Sequence, residues 1–134
     1  LVAVQRRVTP QDLRGVVSSR DLPALRALDH LRPVLAQQDW GVTGSAGFEL
    51  ASGIEALHAQ SDLDLMLCTP EPFERNAARN LLALLDSAEC AVDLQLQTPF
   101  GAVALREWAG ESRRVLLKTT HGAHLVLDPW QAVA

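Results

Sequence analysis

The stretch Ser61-Asp62-Leu63-Asp64-Leu65-Met66-Leu67 sets leucines against aspartates in alternation. In a β-strand successive side chains point to opposite faces, so Leu63, Leu65 and Leu67 are expected to face a core. Asp62 and Asp64 then share the other face, with Cα atoms roughly 7 Å apart. Like charges so placed repel, and aspartate is a poor strand former. A divalent cation held by carboxylate oxygens would compensate. A solvated sheet edge with both carboxylates hydrated is the alternative that the pair alone leaves open.

Working outward, Val42-Thr43-Gly44-Ser45 places a Gly-Ser pair after a short strand (Trp40 to Thr43) and before a helix or tight turn that carries Phe48 and Leu50 and breaks near Gly53. Backbone N–H groups, a small hydroxyl and a helix N-terminus there suit a phosphate; an ordinary turn with an N-cap serine is the plainer reading. Downstream, Val92-Asp93-Leu94-Gln95-Leu96 alternates as part of a strand from Ala91 to Thr98. A helix after Pro70-Glu71-Pro72 can return the chain so that Asp93 joins Asp62 and Asp64. Its apolar stripe reads Phe73, Ala77, Leu81, Leu82 and Leu85, with Glu74, Arg75 and Arg79 toward solvent.

The remaining segments fill in the order. Leu1 to Val8 has strand-like apolar content, and Thr9-Pro10-Gln11-Asp12 has the form of a helix start. Leu22, Leu25, Leu28, Leu31 and Leu35 recur at helical spacing between Asp21 and Gln38, where Pro33 should kink or shorten the helix. Val103 to Trp108 reads as a short helix ended by Gly110, and Val115 to Lys118 with Leu125 to Leu127 as a hairpin about His121-Gly122. The expected fold is a single α/β (α+β) domain over residues 1–134, a mixed sheet covered by helices with a C-terminal β-hairpin.

Composition narrows the function classes. The chain has 134 residues, 48% of them apolar, which is ample for an independent core. A net charge of −4 argues against coating nucleic acid. No apolar run is long enough to span a bilayer and no signal-peptide pattern opens the chain, so no membrane partner is expected. Cys68 and Cys90 lack metal-type spacing and read as reduced, half-buried thiols of a cytoplasmic protein. The first residue is Leu1 rather than Met, so an upstream part is expected to be missing.

Gly-Ser, then Asp-x-Asp, then a lone Asp on a later strand resembles the polymerase-β-like nucleotidyltransferase superfamily. That resemblance implies two magnesium ions held by Asp62, Asp64 and Asp93, roughly 3.5–4 Å apart. One would lower the pKa of the attacking hydroxyl, the other would neutralise the leaving diphosphate, and Asp93 would orient or deprotonate the nucleophile. The stretches WGVTGSAGFELASG (Trp40 to Gly53), SDLDLML (Ser61 to Leu67), VDLQLQTPFGAVALREWA (Val92 to Ala109) and RVLLKTTHGAHLVLDPW (Arg114 to Trp130) are similar to a narrower family. This is the phosphoribosyl-dephospho-coenzyme A transferase of malonate decarboxylase, also called malonate decarboxylase holo-acyl-carrier-protein synthase. The similarity runs from about Val8 to the C-terminus, and the family's N-terminal portion is not recognised in it.

The resemblance puts Asp62 and Asp64 on the family's paired catalytic aspartates and Gly44 and Ser45 on its phosphate-binding turn. The implied donor is 2′-(5″-triphosphoribosyl)-3′-dephospho-coenzyme A, and the implied acceptor is a serine of the apo acyl-carrier subunit. Lys118 is a candidate for reaching the triphosphate, against a solvated strand lysine. His121 is read as part of the hairpin turn, His58 as surface without a partner, and Trp130 as packing over the sheet edge. Arg75 and Arg79 read as a solvated face, with carrier docking as the sharper alternative. Two other functions stay open: a small adenylyl-type transferase acting on another acceptor, and a non-catalytic carrier-binding domain.

Overall fold

The computed structural model describes residues 8–132. Of the stretch Leu1 to Val8, only Val8 is described, exposed and outside any strand; the rest lies outside the described residues. The chain then makes a 3-10 turn (Pro10–Leu13) closed by a capping box, in which Thr9 Oγ1 accepts from the Asp12 amide and Asp12 Oδ2 from the Thr9 amide. Helix α1 (Pro23–Leu35) buries Leu25, Leu28, Leu31 and Leu35. Pro33 removes a backbone donor in its last turn, and the helix stops two residues later, shorter than the span from Asp21 to Gln38.

Strand β1 (Trp40–Thr43) runs directly into α2 (Gly44–Ser52), which ends where Gly53 takes a left-handed φ of 74°. Strand β2 (Leu63–Cys68), helix α3 (Arg75–Asp86) and β3 (Val92–Thr98) follow, then β4 (Gly101–Ala104), α4 (Leu105–Trp108), β5 (Val115–Thr119) and β6 (Gly122–Val126). Among the described residues the strands form one six-stranded sheet in chain order, β1 to β6. Only β2 and β3 pair in parallel; α3 returns the chain between them, as expected for a parallel pair. The fold is therefore the mixed, helix-covered sheet with a terminal hairpin expected from the sequence.

Strand β4 departs from expectation, since Val103 and Ala104 were read as the start of a helix. Glycine and alanine carry little strand preference, and pairing to β3 and β5 supplies what propensity does not. Its entry turn is tightly held: Thr98 Oγ1 accepts from the amides of Phe100 (3.1 Å) and Gly101 (3.2 Å) and donates to the Pro129 carbonyl (2.9 Å). A Cβ on Gly101 would meet the Lys118 carbonyl oxygen at 2.4 Å, so β5 can approach only a glycine there.

Leu63, Leu65 and Leu67 are completely buried, as alternation requires, in one cluster with Leu28, Leu85, Leu94, Leu96 and Leu105. Burying each such leucine stabilises the fold by about 1.5–3 kcal/mol. The other face of β2 is covered at Met66 and Cys68, where the 3-10 turn lies: Pro10 packs against Gly41, and Gln11 Nε2 donates to Cys68 Sγ. Beyond that cover the face is open at Asp64, Asp93, Gln95, Gln97 and Lys118, which are exposed or partly exposed.

The far side of the core corrects two expectations. Ala78, not Ala77, is the buried alanine of α3. Arg75 is not a solvated residue: its guanidinium lies 4.0 Å from the Trp108 ring centre and donates to the carbonyls of Trp108, Gly110 and Ser112. Arg79 donates to the Ala109 carbonyl at 2.9 Å. Both arginines hold the turn after α4, although Arg79 stays exposed as expected. Trp130 is buried, donates to the Thr69 carbonyl and meets Trp108 edge-on at 5.2 Å. Among the described residues no helix is long and apolar enough to cross a membrane, and both cysteines are free and partly buried.

Candidate active site

The antiparallel pairing of β1 with β2 sets Thr43 opposite Asp64, and the parallel pairing of β2 with β3 sets Asp64 opposite Asp93. The end of β1, the start of α2 and both acids thus meet at one end of the sheet, with Asp64 and Asp93 about 4.8 Å apart at Cα. Asp62 stands just ahead of β2, one alternation from Asp64. The three acids therefore share the open face.

Gly44 explains how the carboxylate and the helix come so close. It has a φ of 62°, and a Cβ added to it would lie 2.2 Å from Asp64 Oδ2. The Asp64 carboxylate occupies the space that a side chain would fill, directly against the first turn of α2. The N-cap of that helix is Thr43, not Ser45, and it makes no side-chain cap hydrogen bond. The first amides of α2 and the Ser45 hydroxyl are thus left for an anion, where the helix dipole favours negative charge. Ser45, His58, Gln60, Ser61, Asp62 and Asp64 line a cleft of about 310 Å³ at this point.

The loop that delivers Asp62 is organised by Glu49, a residue the sequence reading passed over. Glu49 is 5% exposed, and its Oε1 accepts from the amides of Ala56 (2.8 Å) and Leu57 (2.9 Å) and from Arg20 Nη1 (2.5 Å). Its position five residues after Gly44, inside an otherwise apolar run, was the available signal. Burial by itself would raise the Glu49 carboxyl, but these donors outweigh burial and hold it below the ordinary glutamate range. Further along the loop, His58 is exposed as expected yet not without partners. Its amide donates to Ser61 Oγ and its Nδ1 accepts from the Gln60 amide, which closes the turn before Asp62.

Asp64 behaves in the opposite way. Burial raises its pKa first, and the charges of Asp93 and then Asp62 raise it further. Among the described residues no side chain donates a hydrogen bond to Asp62 or Asp64, and neither has a cationic partner. Asp93 differs, since its Oδ1 accepts from Gln95 Nε2 at 2.9 Å. Gln95 Oε1 in turn accepts from Lys118 Nζ at 3.3 Å, which brings Lys118 to the same face. Lys118, Gln95, Asp93, Arg106 and Asp62 line a second cleft of about 440 Å³. Asp62 lines both clefts, whereas Asp64 faces only the first and Asp93 only the second.

Among the described residues no three histidine, cysteine or acidic side chains stand together as a ready metal cage. The donors that are present fit magnesium nonetheless. That ion is usually bound by one or two carboxylates, with substrate phosphates and water completing its shell. Asp62 and Asp64 offer such a pair of hard oxygens, left without counter-ions beside the first turn of α2.

Comparison with known proteins shows the family. The family described as phosphoribosyl-dephospho-CoA transferase MdcG C-terminal domain matches residues 12–129. The chain is 62% identical over 132 residues to a phosphoribosyl-dephospho-CoA transferase of Pseudomonas fluorescens strain Pf-5, covering 97% of this chain and 64% of that protein. A protein of the same name from Pseudomonas fluorescens strain Pf0-1 is 61% identical over 126 residues, covering 92% of this chain and 61% of the relative. The one from Azotobacter vinelandii is 51% identical over 139 residues, covering 98% and 66%. The chain thus spans a little under two thirds of the length of the curated relatives it matches first. No solved structure matches it. With the fold, the Gly-Ser turn and the aspartate strands all inside the matched region, this chain belongs to the family of phosphoribosyl-dephospho-CoA transferase MdcG C-terminal domains.

Proposed function

We propose that this chain carries the catalytic site that moves the phosphoribosyl-dephospho-coenzyme A group from 2′-(5″-triphosphoribosyl)-3′-dephospho-coenzyme A to a serine of the apo acyl-carrier subunit of malonate decarboxylase. In that reaction the serine hydroxyl oxygen forms a bond to the α-phosphorus. The bond from that phosphorus to the bridging oxygen breaks, diphosphate leaves with the electron pair, and the hydroxyl proton is released. The observation that carries the reading is the Asp64 carboxylate seated in the space over Gly44, without a counter-ion, against the uncapped start of α2.

Each residue has a task that follows from its position. The amides of the first turn of α2 and the Ser45 hydroxyl would hold the terminal phosphates of the donor. Asp62 and Asp64 would hold magnesium, which supplies charge neutralisation at the phosphates and acidifies the attacking hydroxyl. Asp93 would accept the serine proton or orient the hydroxyl, with Gln95 fixing its carboxylate. Lys118, tethered through Gln95, would add positive charge on the side of the second cleft. Catalysis is then mostly positioning and electrostatics, as for phosphoryl transfer in general. The two free thiols suit a reducing compartment, so the cytoplasm is the proposed site of action.

The test is a transfer assay with apo-carrier protein, the triphosphoribosyl donor and magnesium, reading the mass of the carrier. A mass gain with the native chain that disappears with Asp64→Asn establishes the reaction and its carboxylate site. A carrier labelled with ATP in place of that donor would identify an adenylyl transferase, and undiminished labelling by Asp64→Asn would remove the metal-site reading.

A further inference from the structure

The turn that brings the chain to Asp62 also puts an imidazole on the wall of the first cleft. His58 lines that space of about 310 Å³ together with Ser45, Asp62 and Asp64. The residue before it is firmly held. Leu57 is buried, its amide donates to Glu49 Oε1, and its carbonyl accepts from Arg20 Nη2 at 3.2 Å. His58 then closes the turn with its own main chain: its amide donates to Ser61 Oγ (2.9 Å), and its carbonyl accepts from the Ser61 amide (3.1 Å). The backbone that carries the ring is thus fixed on both sides.

The ring is fixed as well, and the bond that fixes it decides which nitrogen is left for a ligand. The Gln60 amide lies 3.1 Å from Nδ1, and a backbone amide only donates, so Nδ1 is the acceptor. The ring proton then sits on Nε2, which has no hydrogen-bond partner among the described residues. Gln60 lines the same cleft, but its side-chain amide has no such tether among the described residues. His58 therefore offers the cleft a donor whose direction is set in advance.

The place of the cleft says which part of a substrate that donor would meet. In phosphoryl transfer the attacking and leaving oxygens lie roughly in line across phosphorus. Asp93, which the proposed reaction puts at the attacking hydroxyl, does not line this cleft, whereas Ser45 and Asp64 do. The first cleft is then on the leaving side. We propose that His58 Nε2 donates a hydrogen bond to the departing diphosphate, which Ser45 and the first amides of α2 also hold. This role rests on the transfer reaction proposed above for what departs. Negative charge builds on the departing oxygens as the phosphorus–oxygen bond breaks. A donor already aimed at them stabilises that charge more than it stabilises the bound substrate. The histidine expected from the sequence to be surface without a partner becomes part of the leaving-group site.

Two substitutions separate this role from a purely structural one. Asparagine places an oxygen near the position of Nδ1, so His58→Asn keeps an acceptor for the Gln60 amide and removes the donor to the cleft. Glutamine places an amide nitrogen near the position of Nε2, so His58→Gln keeps that donor. Titration calorimetry of inorganic diphosphate with magnesium into the full chain should show binding about tenfold weaker for His58→Asn and within about threefold of native for His58→Gln, the order of one hydrogen bond to a charged group. In the transfer assay His58→Asn should lower kcat about a hundredfold with a smaller rise in the KM of the donor, and His58→Gln should recover about tenfold of that loss. Native diphosphate binding and native kcat in His58→Asn overturn the proposal. An equal loss in both variants also overturns it, since that loss would belong to the turn. The two readings fail separately. A chain that binds diphosphate through His58 but modifies no carrier keeps the leaving-group site and loses the reaction. A chain that modifies the carrier with native kcat in His58→Asn keeps the reaction and loses the role of His58.

Discussion

Two carboxylates lie against opposite ends of the nine-residue helix α2, and their surroundings differ in donors and in neighbouring charge, although Glu49 Oε2 is also buried without a partner among the described residues. At its C-terminal end Glu49 is buried, and three donors converge on its Oε1, two backbone amides of the following loop and Arg20. At its N-terminal end Asp64 is half-buried, has no donor among the described residues, and faces two further negative charges. At Glu49 the donors that shape a loop outweigh burial, whereas at Asp64 burial and like charge both penalise the ionised form. The first end builds the path to Asp62, and the second is the reaction site proposed above, where a compensating ligand is expected.

Four experiments sharpen or break that contrast. Asp64→Asn should lower transfer by about a thousandfold or more, since the proposed metal ligand at the reacting phosphate is lost. The same substitution should raise the Tm of the metal-free protein by relieving burial and repulsion. Magnesium should stabilise the native chain but not the variant. A lowered Tm in calorimetry would mean that Asp64 has a compensating partner after all.

Glu49→Ala should act in the reverse sense, on folding before chemistry. It leaves two loop amides and Arg20 without their acceptor, a loss of about 3 kcal/mol readable in urea denaturation. The folded fraction should still bind magnesium, because Asp64 is untouched. If instead magnesium binding disappears while stability stays native, Glu49 belongs to the site.

Gly44→Ala tests the close approach itself. A methyl group at the position of the Asp64 carboxylate, on a backbone with φ of 62°, should displace that carboxylate and cost about 1–2 kcal/mol in stability. Transfer should fall roughly a hundredfold, as for misplacement by an ångström. An active Gly44→Ala variant would show that Asp64 can work from another rotamer.

The smallest effect is in the pH dependence of stability, where the two ends should oppose one another. Glu49 is held below the ordinary glutamate range, so its contribution is complete above that range and is lost as pH falls through it. Asp64 lies above the ordinary aspartate range, so its penalty is complete above that raised value and lifts as pH falls through it. The Tm advantage of Asp64→Asn over the native chain should therefore shrink on mild acidification. The native chain's advantage over Glu49→Gln should persist until lower pH. Parallel Tm curves for all three proteins would remove the contrast.

How far each end could be read from the chain follows from the range of the interactions involved. Asp62 and Asp64 were legible because alternation against Leu63, Leu65 and Leu67 is a local property of a strand. Gly44-Ser45 was legible as a turn into a helix, although its cap proved to be Thr43. Glu49 was not, because its partners include Arg20, 29 residues away, and nothing in the helical pattern marks an acid as buried. Arg75 was misread as solvated for the same reason: its acceptors are carbonyls 33 to 37 residues further on. Local propensity also failed at β4, whose Gly-Ala-Val-Ala sequence becomes a strand only between two neighbours.

The alternating pattern from Ser61 to Leu67, the Gly-Ser turn and the leucine stripe of α1 were enough to establish an α/β domain with an acidic strand beside a phosphate-type turn. Those are effects of backbone periodicity and side-chain direction, which neighbouring residues settle between themselves. The placement of Asp93 opposite Asp64 was anticipated as a possibility and became a fact through the parallel register of β2 and β3. The seat of Asp64 over Gly44 and the bracing of the loop by Glu49 arose from packing between strands and helices far apart in the chain. Contacts of that kind depend on how the whole sheet closes on its core, and no window of sequence contains them.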